Sequence, residues 1–337
     1  MSPDPSATTS QGDHHRVNGR FRNPWPGGEL HGFSDFLRWR LKERRTKEMP
    51  PDPPRQSLPT RRSTILAPRA TRGHRSATWV GHSTVLLQIG LVNVLTDPVW
   101  SERASPVQWI GPRRLMPAAV DFDSLPEIDV VLLSHNHYDH LDAPTVRRLS
   151  RRFPRATWLC PLRLGLFLKS LGVQHVVERD WWQSVETPVF SATCTPAQHF
   201  SGRGLRDRNA TLWCGWTITI DGARVYFAAD TALHPEFETI GSRLGPFDLV
   251  MLPIGAYEPR WFMRAVHMDP DDAIAAYLAV AAGPGTQPPC LALHWGTFRL
   301  TDEAVDEPPT RFARLWREAG LPETANWTFA HGETRRF

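Results

Sequence analysis

The chain has 337 residues, 41% hydrophobic and 22% charged, ordinary proportions for a soluble globular protein of one large domain or two modest ones. No apolar stretch reaches the roughly 18 residues that a spanning helix needs, and the N-terminus lacks the basic-then-apolar order of a secretory signal. The net charge of +4 is uneven: residues 1–80 carry 15 Lys and Arg against 7 Asp and Glu, whereas residues 81–337 carry 24 against 28, which argues against a nucleic-acid groove in the body.

Residues 1–20 are small and polar and are expected to form a disordered tail. Residues 21–75 read as a basic arm. Within it "FSDFLRWRLKERRTKE" predicts an amphipathic helix, capped by Ser34, with Phe33, Phe36, Leu37, Trp39 and Leu41 near one face. Such a helix lies on a membrane surface or docks on its own domain, and docking is the preferred reading. The proline-rich "MPPDPPRQSLPT" ends it as a linker.

From residue 76 onward the pattern changes. "ATWVGHSTVLLQIG", "LVNVLTDP" and "IDVVLLSH" read as short strands separated by turn residues. A helix is expected over Ala143 to Phe153, then a strand in "ATWLCP" and a helix closed by Gly172. "TLWCGWTITI" and "ARVYFAAD" look like a strand pair turning at Asp221-Gly222, and "FDLVMLPIG" is a further strand. Asp269 and Pro270 mark the start of the helix "DPDDAIAAYLAVAAG". "CLALHWG" is read as the last strand and "PTRFARLWREAG" as the last helix. Two successive blocks of this kind suggest two sheets packed face to face with helices outside. The four cysteines are far apart and form no CxxC pair, so they are expected to be buried, reduced thiols of a cytoplasmic protein.

The densest chemistry lies in "VVLLSHNHYDHLD". His135, His137 and Asp139 follow a strand at period two, and His140 comes from the next turn. Imidazole and carboxylate without thiolate suit zinc or a similar divalent metal. Four ligands are too many for one catalytic zinc with an open position, unless they divide between two ions. Further candidates end other apolar runs: His199, Asp230 and His294. Either oxygen of Asp230 is available, so it could bridge. A lone His at a strand end is more often a satisfied structural residue. Four candidate ligands in six residues are different, because burying them without a metal would cost several desolvation penalties.

With HxHxDH followed by a later His, Asp and His, the chain resembles the metallo-β-lactamase superfamily. The longer stretches "NPWPGGELHGFSDFLRW", "TWVGHSTVLLQIG", "LTDPVWSERASPVQWIGPRRL", "LLSHNHYDHLD", "TPAQHF", "FDLVMLPIGAYEPRWFM", "HMDPDDA" and "LALHWGTF" resemble its N-acylphosphatidylethanolamine-hydrolysing phospholipase D branch. The resemblance runs from about Asn23 to His331. It implies an αββα four-layer sandwich over residues 76–337, with two zinc ions, or another divalent metal, at one edge of the sheets. It also implies that His135, His137 and His199 hold one ion, that Asp139, His140 and His294 hold the other, and that Asp230 bridges them. Tyr138 and His267 would contact the substrate phosphate. His82 and Asp97, at the ends of early strands, are expected to orient ligands from behind.

The function implied is metal-assisted hydrolysis of a phosphodiester in a phospholipid or small molecule. Asp139 would orient the attacking water, and His267 would donate to a phosphoryl oxygen or the leaving group. A peripheral membrane contact through the basic arm goes with that reading. Alternatives that keep the ligands are a lactonase or other ester hydrolase of the same fold, since ascorbate-6-phosphate lactonases share the shorter motifs, and a non-enzymatic metal-binding protein. One departure stands out: after His199, Phe200 and a run of arginines replace a Trp and other residues of the animal enzymes, so acyl or head-group preference does not carry over. His14, His15, His74, His175, His234 and His331 match no ligand pattern.

Overall fold

The computed structural model describes residues 14–16, 18–43, 48–204, 206–282 and 287–337. The arm contains a short helix, α1 (Phe33–Leu37), that runs into a wider π turn, Arg38–Glu43. The sheets begin with β1 (Arg75–Gly81), β2 (Thr84–Ile89), β3 (Val92–Thr96) and β4 (Val130–Leu132). Helix α2 (Ala143–Arg152), β5 (Thr157–Pro161), α3 (Gly165–Ser170) and β6 (His175–Arg179) complete the first block. The second block holds β7 (Ser184–Glu186), β8 (Ser191–Thr195), β9 (Gly215–Ile220), β10 (Ala223–Phe227), α4 (Glu236–Leu244), β11 (Leu249–Pro253), α5 (Arg260–Met263), α6 (Pro270–Val280) and β12 (Cys290–Leu293). The chain closes with α7 (Glu307–Glu318), β13 (Asn326–Trp327) and β14 (Thr334–Arg336).

The strands form two seven-stranded sheets, ordered β14-β1-β2-β3-β4-β5-β6 and β13-β12-β11-β10-β9-β8-β7. Each sheet is antiparallel on one side and parallel on the other, with β3–β6 and β10–β13 the parallel stretches. Period-two alternation divides the first sheet's side chains between two cores. Val85, Leu87, Val94, Leu132 and Leu159 face the second sheet's Ile218, Val225, Met251 and Leu291 in one core. Leu86, Leu95, Val131 and Trp158 pack outward on Val146 and Leu149 of α2 and Leu168 of α3 in another. Burial on both faces is why these strands read as continuous apolar runs. The architecture is the expected αββα sandwich.

The arm is pinned to this body. The Trp39 indole is buried and donates to Asp302 Oδ2 at 2.8 Å, so the helix docks on its own domain. Its start is set by Gly32, whose N–H donates to Asp35 Oδ2 at 3.0 Å, and not by Ser34. Leu66 exchanges hydrogen bonds with the Gln88 side chain, and Arg61 donates to the His331 carbonyl. The expected disordered tail does not hold for its described end. His14 is buried against the Trp181 ring, and the His14 and His15 Nε2 atoms lie 2.6 and 2.7 Å from the two Asp180 oxygens. Residues 1–13 of that tail and 44–47 of the predicted helix lie outside the described residues. All four cysteines are free and buried.

Candidate metal centre

The residues that matter follow strand ends. His82 follows β1, Asp97 follows β3, Ala229 and Asp230 follow β10, and His294 follows β12. His82, Asp97, Ala229 and His294 have φ of 55°, 30°, 53° and 64°. Left-handed backbone at non-glycine residues costs on the order of 1–3 kcal/mol each, and here it occurs where His82, Asp97, Asp230 and His294 leave the ends of their strands in the two sheets. The "HNHYDH" segment likewise follows β4 and continues into α2.

There the side chains converge. His135 Nε2 lies 2.8 Å from His137 Nδ1, which lies 3.2 Å from His199 Nε2. Asp230 Oδ2 is 3.0 Å from the Nε2 atoms of both His140 and His294, and 3.7 and 3.9 Å from those of His199 and His135. Asp139 Oδ2 is 3.5 Å from His140 Nε2 and from His294 Nε2. All seven residues therefore meet in one cluster. Despite the short approaches, His140 Nε2, His294 Nε2 and Asp230 Oδ1 are buried without a hydrogen-bond partner. Donor atoms that crowd together but do not aim at one another converge on a shared point, which suits a divalent cation.

Supporting contacts fix the rings. Asp97 Oδ2 lies 2.7 Å from His140 Nδ1 and also accepts from the Ser134 hydroxyl at 2.6 Å. His199 Nδ1 lies 2.9 Å from the Val266 carbonyl, which leaves Nε2 toward the cluster. Asp97 thus sits behind His140, a candidate ligand. The His82 Nε2 lies 3.0 Å from Asp139 Oδ2, beside another candidate ligand and close enough to the others to be counted in the same cluster. Its left-handed backbone, φ 55°, turns the ring toward that carboxylate. His267 is brought to the cluster, grouped with His199 and Asp230, and its Nδ1 is a buried orphan. Tyr138 borders the adjoining groove, but its hydroxyl donates to the Arg203 carbonyl at 2.8 Å, so its only proton is already engaged.

Electrostatics match this geometry. Burial pushes His137 down to about 3 and His199 to about 4, and holds His135 well below the usual imidazole range, so all three are neutral donors at pH 7. Burial opposes charge on Asp139 and Asp230 as well, yet the neighbouring imidazoles hold both carboxyls well below their ordinary value. Burial would lower His140 and His294, but the carboxylates overcome it, raising His140 strongly and His294 to about 9. The two carboxylates demand positive charge between them. A divalent cation meets that demand and leaves both imidazoles neutral as ligands.

A family model described as a beta-lactamase superfamily domain matches residues 92–295. The chain is 40% identical over 269 residues to the N-acyl-phosphatidylethanolamine-hydrolyzing phospholipase D 1 of Caenorhabditis elegans, covering 76% of this chain and 74% of that protein. This chain belongs to the metallo-β-lactamase superfamily, in its N-acylphosphatidylethanolamine phospholipase D-like branch. It is also 46% identical over 253 residues to an uncharacterized protein of Mycobacterium tuberculosis, covering 73% of this chain but 66% of that protein, just under two thirds of its length. A metallo hydrolase from Ignicoccus hospitalis superposes with a TM-score of 0.57 at 22% identity, over 78% of this chain and 98% of that one, a likeness of fold alone. The cluster that could hold divalent cations thus lies at the sheet edge of a metallo-β-lactamase fold.

The superfamily scaffold is elaborated here by a groove of about 950 Å³ that starts at His137, Asp139, Asp230 and His267. Its walls are Phe36 and Trp39 of the arm, Phe200, and Phe262, Met263 and Val266 around α5. Sequence reasoning missed this role of the arm. It also missed Asn23, which exchanges hydrogen bonds with the His199 backbone at 3.0 and 3.2 Å. It noted the arginines after His199 but not the anchoring role of Arg203, which lies 3.9 Å over the Tyr138 ring and donates to the Asn136 and Leu141 carbonyls. The long "NPWPGGELHGF" resemblance was the available signal for the arm.

Proposed function

We propose that the chain is a phospholipase D-type phosphodiesterase working with two zinc ions, and that its substrate is N-acylphosphatidylethanolamine or a related phospholipid. The observation that carries this reading is the direct opening of the ligand cluster into a groove walled by aromatic and aliphatic side chains. A polar phosphodiester with apolar chains fits that pairing. The C. elegans relative is named for the same reaction.

In this reading His135, His137 and His199 hold one zinc, Asp139, His140 and His294 hold the other, and Asp230 bridges. The four approaches of Asp230 Oδ2 to imidazole nitrogens, all within 3.9 Å, support the bridging role. The ions, when bound, supply Lewis acidity for the phosphoryl group and acidify water. Asp139 receives and orients a water proton, with His82 fixing its carboxylate. His267, kept neutral by burial, donates a hydrogen bond to a phosphoryl or leaving-group oxygen. Phe200 and Arg208 line the groove and shape acyl and head-group preference.

The test is a release assay on the purified chain with metal analysis alongside. About two zinc per chain and turnover of phospholipid diesters, with little on lactones, are expected. Lactone hydrolysis without any phosphodiester turnover would overturn the proposal in favour of an ester hydrolase of the same fold.

The same reading makes the enzyme peripheral at a membrane. No helix among the described residues is long and apolar enough to cross one. The loop from Arg103 to Arg113 is pinched at its base by those two residues, and its Ala104 borders the groove. Its tip presents Trp109 and Ile110, 77% and 57% exposed. Such a tip beside basic residues suits insertion at a lipid interface. Trp109→Ala with Ile110→Ala is expected to weaken flotation with phosphatidylcholine–phosphatidylglycerol vesicles by about 10-fold or more. Turnover of a dispersed short-chain substrate should stay unchanged. Undiminished flotation would remove this loop from the interface.

A further inference from the structure

A second groove, of about 740 Å³, lies beside the first and holds no candidate metal ligand. Its polar walls include Arg16, Arg20, Arg22 and Arg208, over Phe21 and Trp25. The first three arginines do not sit on a loose tail. Residues 14–16 lie back against residues 20–22, with Arg22 N–H donating to the His14 carbonyl and Arg16 N–H to the Arg20 carbonyl. This pair of segments is clasped on one side by the His14 and His15 contacts to Asp180. On the other side the Phe21 N–H donates to the Asn209 carbonyl at 2.9 Å.

Two of the guanidinium groups are held by neutral acceptors. Arg20 donates to the Arg206 carbonyl at 2.9 Å and to the Arg208 carbonyl, and Arg208 donates to the His31 carbonyl at 2.8 Å. Among the described residues no carboxylate forms an ion pair with Arg16, Arg20 or Arg208. Among the described residues of the lining, Glu29 is the one acidic side chain. Like charges around one concavity repel unless an anion joins them, and planar guanidinium forks match phosphate oxygens in geometry as well as charge. Arg208 lines this groove and the apolar groove alike, so an occupant here lies next to the lipid-sized channel.

We propose that this groove binds a phosphate monoester dianion, carried by a phosphatidic-acid-type headgroup or free in solution, at a site separate from the metal cluster. The assignment does not depend on which bond the metal cluster cleaves. Phe21 and Trp25 give the glycerol stem of a lipid a surface to lie on, and the four arginines take the headgroup.

The test is calorimetric titration of the metal-loaded full chain with dihexanoyl phosphatidic acid below its micelle threshold, with inorganic phosphate, and with dihexanoyl phosphatidylcholine as the diester control. Under the proposed function the metal cluster is a second place for phosphate, so the readout is the one site lost between native chain and triple variant. The native chain should bind phosphatidic acid at two sites, and Arg16→Gln/Arg22→Gln/Arg208→Gln at one, with the groove affinity reduced by about 10-fold or more. Arg16→Gln/Arg22→Gln, both exposed, guards against misfolding of the triple variant and should weaken the same site. A second site for inorganic phosphate as well identifies the free anion as sufficient. A second site for phosphatidic acid alone identifies the lipid headgroup. One site in native and variant chains alike, or two sites that persist in both variants, overturns the proposal.

Discussion

Asp230→Asn is expected to lower zinc content from about two per chain to one or fewer and to reduce hydrolysis by at least about 1000-fold. The substitution keeps the side-chain shape, so the loss reports charge and donor chemistry and not packing. Asp230 Oδ2 is the only carboxylate oxygen among the described residues that lies within 4 Å of His135, His140, His199 and His294 together. An amide at that point offers one neutral oxygen, or an NH2 group that faces nitrogen lone pairs. Either way, two divalent ions would share a single remaining carboxylate, Asp139. Burial of Asp230 makes the deficit severe, because its low-dielectric surroundings screen the unmet charge poorly. Metal analysis and single-turnover rates measure the effect, with circular dichroism to show that the sandwich is intact. Full metal content and near-native turnover would mean that Asp230 is not shared between two ions.

How much of this was legible in the sequence follows from where each residue gets its position. The "HNHYDH" cluster was legible because local spacing alone brings His135, His137, Asp139 and His140 together. His199, Asp230 and His294 were legible as the polar ends of apolar runs. Asp97 and His82 were harder. The φ of 30° and 55° at these residues decides where each side chain turns, and nothing in "LTDP" or "VGHST" announces it. The central strands were legible because helices cover their outer faces and leave unbroken apolar runs. The four edge strands β6, β7, β13 and β14 were not read. β14 is Thr-Arg-Arg, recruited by backbone pairing to Ser76–Thr78, and a charged edge carries no hydrophobic pattern. The tail was misread for the same kind of reason: His14 is buried by contacts with Asp180 and Trp181, 166 and 167 residues away, and no local rule sees those.

The motif "IGAYEPRWFM" shows what recognition leaves out, and it yields the second large effect. Gly255→Ala should destabilise the fold by about 1–3 kcal/mol or more and also weaken metal binding, although residue 255 has no ligating atom. A Cβ at this position would stand 2.3 Å from the His294 carbonyl oxygen, 3.2 Å from its carbonyl carbon and 3.4 Å from Trp295 Cα. All three are backbone atoms, so no rotamer change relieves the clash. The ladder between β11 and β12 runs on to this point through the Ile254 N–H to Leu293 carbonyl bond of 3.0 Å, and the two chains cannot simply part. His294 itself is held with φ of 64°, and its N–H donates to the His82 carbonyl at 3.3 Å. Pushing its carbonyl aside therefore rotates a strained peptide, and the imidazole moves away from Asp230 and Asp139. Thermal unfolding and zinc affinity, measured on the same sample, separate the two consequences. Reduced stability with unchanged zinc affinity would show that the clash is absorbed before it reaches His294. A loss in both would show that glycine is required here because the metal centre is built against its bare backbone.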